Sequence, residues 1–75
     1  MKQAQRLTAI IEREDEGFVA LCPELDIASQ GDSIEAARAN LIEALTLFFE
    51  TASPSEIDRR GHYEVFITQV EVPVG

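Results

Sequence analysis

Two side chains in this sequence have the intrinsic reactivity for nucleophilic or acid–base chemistry, the single thiol Cys22 and the single imidazole His62. They stand 40 positions apart, so the sequence leaves open whether they meet in space. A thiol becomes a nucleophile only beside a base or cation that favours the thiolate. Cys22 instead closes the apolar run Phe18-Val-Ala-Leu-Cys22, where a small buried cysteine is the expected reading. His62 opens an alternating segment and is expected at the surface. Carboxylates are more plentiful: Glu14, Asp15 and Glu16 form a run, with Glu24 and Asp26 shortly after. A calcium loop needs oxygen ligands at alternating positions over about twelve residues with a closing Glu, a pattern this run does not follow. It reads as a solvated turn, with a partner-facing acidic patch or weak cation binding as the alternative. Gly17 and Gly31 are isolated turn residues with no phosphate-cradling loop between them. The expectation is therefore a protein with no catalytic, cofactor-binding or metal-ligating residues, and not an enzyme.

The elements that hold these residues must fit into 75 positions, which is one domain, 1–75. Apolar residues make up 45% and charged residues 27%, the balance of a chain that folds. A core this small supplies roughly 3–5 kcal/mol unless disulfides, metal or oligomerisation add to it. One Cys and one His leave oligomerisation as the expected stabiliser. Fourteen acidic against six basic side chains give a net charge of −8. Such a surface repels nucleic-acid phosphate and steers a basic protein toward itself, or serves solubility alone. The basic residues Lys2, Arg6, Arg13, Arg38, Arg59 and Arg60 are dispersed except for the last pair, which reads as a solvated linker. Direct nucleic-acid binding is not expected. No apolar run approaches the length that spans a bilayer, and Met1–Arg6 does not resemble a signal peptide, so the expected location is cytoplasmic and away from membranes.

β-branched residues without Gly or Pro predict a strand over 6–13. The turn Glu14-Asp-Glu-Gly17 joins it to a second strand over 17–22 that Pro23 ends. Asp26–Ser29 is a short third strand. Asp32 or Ser33 then caps a helix, with Glu35 three residues after Asp32 as a capping box requires. Ile34, Ala37, Leu41, Ala44 or Leu45, and Phe48 form its apolar stripe. Pro54 breaks the helix, a linker of roughly ten residues follows, and residues 62–72 alternate as the longest strand, closed by Pro73. The fold class is α+β: a β-β-β-α-β two-layer unit with one helix on a largely antiparallel sheet. Both early strands are apolar on both faces, and Ile42, Leu47 and Phe49 widen the helix's apolar side. This surplus points to an oligomer, a dimer or tetramer, with Ile10, Val19, Leu21, Ile42 and Phe49 as interface candidates.

Gly17-Phe-Val-Ala-Leu-Cys-Pro-Glu-Leu-Asp26, the turn Ala28-Ser-Gln-Gly-Asp-Ser33, and the helix pattern Glu35-Ala-Ala, Asn40-Leu and Glu43-Ala-Leu strongly resemble the HicB-like antitoxin family over roughly residues 6–50. Val70-Glu-Val-Pro73 resembles that family's last strand. The resemblance implies a partial ribonuclease-H-like fold in an oligomer that neutralises a small basic messenger-RNA-cleaving toxin of the HicA kind by covering its RNA-binding surface. Family members with a further C-terminal DNA-binding segment continue past that strand. This sequence ends at Gly75, so operator binding is not expected of it. Ribonuclease-H-like hydrolysis needs a carboxylate within the first strand, and Leu7–Ile11 contains none. The expected partner surface carries Glu14, Asp15, Glu16, Glu24 and Asp26. The second reading is a solitary homo-oligomeric structural or small-ligand-binding module with no toxin partner.

Overall fold

A computed structural model describes residues 5–75; Lys2 lies outside them. Three strands, β1 (Ile10–Glu14), β2 (Gly17–Cys22) and β3 (Ile27–Gly31), are followed by the helices α1 (Ile34–Thr51) and α2 (Pro54–Arg60). The strands pair antiparallel in the order β1-β2-β3, with Ile11 opposite Ala20 and Ala20 opposite Ser29. One face of this sheet carries α1. Ala20 and Cys22 of β2 and Leu25 of the following turn are buried against Ala37 and Leu41 of α1. Leu7, Ile11, Phe18, Ile27, Leu45, Phe48 and Phe49 close the rim of that core. The α+β class, with one long helix packed on an antiparallel sheet, is the expected one.

Each connection has a local cause. The two-residue turn between β1 and β2 places Asp15 at φ 54°, a left-handed conformation that Asp tolerates better than most residues. Asp26 does the same at φ 56° before β3. Ser33, and not Asp32, caps α1, its Oγ accepting from Ala36 N–H at 3.0 Å. Glu35 therefore sits in the first turn without closing a capping box, where its charge still complements the helix dipole. Asn40 Nδ2 donates to the Gln30 carbonyl at 2.8 Å and ties α1 to β3. Ile34, expected in the stripe, is about half exposed, because the buried contacts begin at Ala37.

Three expectations need correction. The first strand begins at Ile10 rather than near residue 6. Extending the register puts Thr8 opposite Pro23, which has no N–H to donate to a partner carbonyl, and the Thr8 N–H donates to the Glu24 carboxylate in place of a ladder carbonyl. The stretch after Pro54 is a second helix and not a linker. Ser53 caps it, accepting from Glu56 N–H at 3.2 Å, and Pro54 occupies the first turn, where its missing N–H has no partner to lose. Residues 62–72, expected as the final strand of a β-β-β-α-β order, form no strand: beyond the His62 N–H they make no backbone hydrogen bond to any element among the described residues, and 63–75 form a largely exposed arm. Alternation makes a segment ready to be a strand, but a ladder needs a neighbouring edge.

Gly31 sets how closely β3 approaches α1. A Cβ there would lie 2.5 Å from the Ala37 backbone nitrogen and 2.7 Å from the Ala36 carbonyl carbon. Overpacking a closed contact costs about 1–3 kcal/mol, and each kcal/mol moves Tm by roughly 4–8 °C in a domain this small. Gly31→Ala is expected to lower Tm by several degrees in thermal unfolding followed by circular dichroism. An unchanged Tm would contradict the close approach.

Candidate functional site

Glu24 and Asp26 lie in the connection between β2 and β3, whereas Glu14, Asp15 and Glu16 lie at the turn between β1 and β2. These are opposite ends of β2, roughly 20 Å apart at about 3.3 Å per residue. The five carboxylates therefore do not form one surface. Glu24 is only 6% exposed. Its carboxylate accepts the Thr8 N–H at 3.1 Å on both oxygens, the Thr8 hydroxyl at 2.6 Å, and the Cys22 thiol at 3.4 Å. Burial raises its pKa, but the hydrogen bonds led by the Thr8 hydroxyl outweigh burial and hold the carboxyl below its ordinary value. Glu24 is thus an internal clamp and is not free to meet a partner. Asp26 is exposed.

The backbone of the same connection anchors α2. The Glu24 carbonyl accepts the His62 N–H at 2.6 Å, and the Leu25 carbonyl accepts from Arg60 at 3.1 Å. The Arg60 guanidinium also lies 5.2 Å from the centre of the Phe48 ring. Arg60 is therefore a structural tie and not part of a solvated linker. The 35-residue separation of Arg60 from Leu25 and the 16-residue separation of Thr8 from Glu24 left no local signal of either contact.

Cys22 is fully buried, and burial pushes its thiol pKa up, with the adjacent Glu24 carboxylate reinforcing the effect. Its hydrogen-bond partner is Glu24, while the His62 side chain is exposed. The sequence's two reactive groups thus do not form a nucleophile–base pair. Among the described residues no group of three or more His, Cys, Asp or Glu side chains is placed to hold a metal ion. No helix among them is long and apolar enough to cross a membrane.

Two surfaces remain open. A cleft of about 840 Å³ runs between the segment leading into β1 and the flank of α1 at the edge of the core, lined by Leu7, Ala9, Leu41, Ile42, Leu45 and Phe49. Ile42 is 47% exposed on its wall. Ile42 and Phe49 of the expected interface meet here, joined by Leu7, Ala9 and Leu45, which the apolar pattern contained but did not single out. Ile10, Val19 and Leu21 lie together on the sheet face away from α1, each partly covered. The interface candidates thus fall on two faces. At the far end, Glu14, Asp15, Glu16 and Asp32 border a shallow hollow whose walls include Gly31 and Asn40.

Comparison with known proteins places the chain beside two UPF0150 proteins of Synechocystis sp. One is 52% identical over 46 residues, covering 59% of this chain and 64% of the relative. The other is 42% identical over 52 residues, covering 67% of this chain and 66% of the relative. The chain thus spans just under two thirds of the length of these curated relatives. Its homologues are UPF0150 proteins. No family model matches the chain, and no solved structure matches it significantly.

A hydrogen-bonded buried carboxylate whose folded pKa is depressed adds stability that is present above its unfolded pKa and lost as pH falls through the folded one. Glu24→Gln is expected to cost about 1.5–3 kcal/mol near neutral pH, the range for hydrogen bonds to a charged group. The deficit relative to wild type should shrink as pH falls below about 4, where an unperturbed Glu protonates. Urea titrations across pH 3–7 check this, and a deficit independent of pH would contradict the clamp.

Proposed function

We propose that this chain is a protein-binding module of the HicB-like antitoxin kind, which neutralises a small basic RNA-cleaving toxin by covering its RNA-binding surface. The observation that carries the reading is the pairing of an apolar cleft with a carboxylate-lined end on a chain of net charge −8. A basic, RNA-binding surface is complementary to such a charge pattern, and apolar contacts supply the affinity. Glu14, Asp15 and Glu16, exposed on the turn with Asp32 beside them, replace the five-carboxylate surface as the partner-facing group. The resemblance of the Gly17–Asp26 and Ala28–Ser33 segments to HicB-like proteins supports the same reading. The work is done by binding and needs no catalysis, in keeping with a thiol sealed in the core and an imidazole outside it. A solitary homo-oligomer is the second reading, favoured by the exposed apolar arm after α2.

The test is RNA cleavage by a purified basic HicA-like toxin titrated with this chain, with stoichiometric inhibition expected. Replacing Glu14, Asp15 and Glu16 by Gln, Asn and Gln should lower the association rate about tenfold or more at low salt and flatten its salt dependence. The dissociation rate should change little. Failure to bind at micromolar concentrations would leave the solitary reading. Binding with an unchanged association rate would return the acidic turn to a purely structural role.

A further inference from the structure

The arm after α2 is an unsatisfied strand. Phe66 is 88% exposed, Val70 78% and Val74 90%, and Tyr63, Ile67 and Val72 are also exposed. Among the described residues, 63–75 make no backbone hydrogen bond to any element. An apolar patch of more than a few hundred Å² on one small chain marks an interaction surface. Five of these side chains, Tyr63, Phe66, Ile67, Val70 and Val72, fall within residues 63–72, and two such arms double the apolar area that a contact between copies would bury.

The sheet offers the matching vacancy. In the order β1-β2-β3 the outer edge of β1 is unpaired among the described residues, and an open edge is a template for a further strand. The two faces of the arm are both apolar, and so are the two sides of this edge. On one side lies the cleft with Leu7, Ala9 and Phe49; on the other lie Ile10 and its cross-strand neighbour Leu21. Charge fits as well. A strand laid parallel to β1 with Glu71 opposite Arg13 sets a carboxylate against a guanidinium and runs residues 68–72 along Ile10–Glu14. The arm's own body does not use it. Arg60 and His62 are fixed to the turn between β2 and β3, and the chain then runs outward. The molecule reaches 51 Å in its longest dimension, against about 27 Å for an 18-residue helix.

We propose that residues 63–72 pair with the open β1 edge of a second copy of this chain, so that two copies exchange arms and close each other's cleft. This holds whether or not a toxin partner exists. The full chain should give at least twice its 8.3 kDa mass by light scattering, with slow amide hydrogen exchange across 63–72. The double variant Phe66→Asp/Val70→Asp changes only exposed side chains, so its helical circular dichroism should persist. Its dimer dissociation constant should rise about 100-fold or more, with loss of protection in the arm, since two carboxylates per arm would enter an apolar contact. Glu71→Arg should weaken the dimer several-fold, and adding Arg13→Glu should restore it. A monomer with a protected arm, a dimer with an unprotected arm, a monomer with an unprotected arm, or a dimer indifferent to the Asp substitutions would each overturn the proposal.

Discussion

The carboxylate of Glu24 is the point on which three otherwise separate parts of the chain converge. Its oxygens take the N–H and hydroxyl of Thr8, and so fix the segment that leads into β1 and forms one wall of the cleft. The thiol that donates to it belongs to the core. Its own backbone carbonyl, with that of Leu25, holds the end of α2 and sets the direction in which the arm departs. A buried carboxylate is costly unless its hydrogen bonds are satisfied, and here they are. A small core with few apolar residues gains a defined geometry from such a group.

The antiparallel topology then divides the molecule by chemistry. Because the two connections of β2 point to opposite ends, the acidic turn and the Glu24 clamp cannot share a surface. One end carries charge that acts at long range and governs encounter. The cleft and the arm carry apolar area that acts only on contact. A partner attracted by the first can be retained by the second, and an exchanged arm would reshape the cleft that such a partner meets.

The parts of the fold legible in the sequence were those with short-range causes. The turn at Asp15-Glu16, the stop at Pro23, the cap at Ser33 and the helix stripe from Ala37 to Phe48 follow from neighbours within a few residues. Pro54 was legible only in part: as a helix breaker it ended α1, and the Ser-Pro-x-Glu pattern that begins α2 was hidden by it. Glu24 looked like every other carboxylate, because its burial depends on Thr8 sixteen positions away. The alternation of 62–72 suggests a strand that the structure does not form, because alternation is local whereas a strand needs a neighbouring edge that the sequence does not specify.

Amide hydrogen exchange in Glu24→Gln tests the shared dependence on this residue most directly. The substitution leaves the backbone carbonyl that receives the His62 N–H in place, yet a single cooperative node must loosen both attachments. A loss of about 1.5–3 kcal/mol corresponds to exchange faster by roughly 10- to 100-fold. The expected result is that Thr8 and His62 both accelerate by this order, and by more than Leu41 at the centre of α1. Faster exchange at Thr8 with His62 unchanged would show that the clamp and the arm are held independently, and would contradict the account.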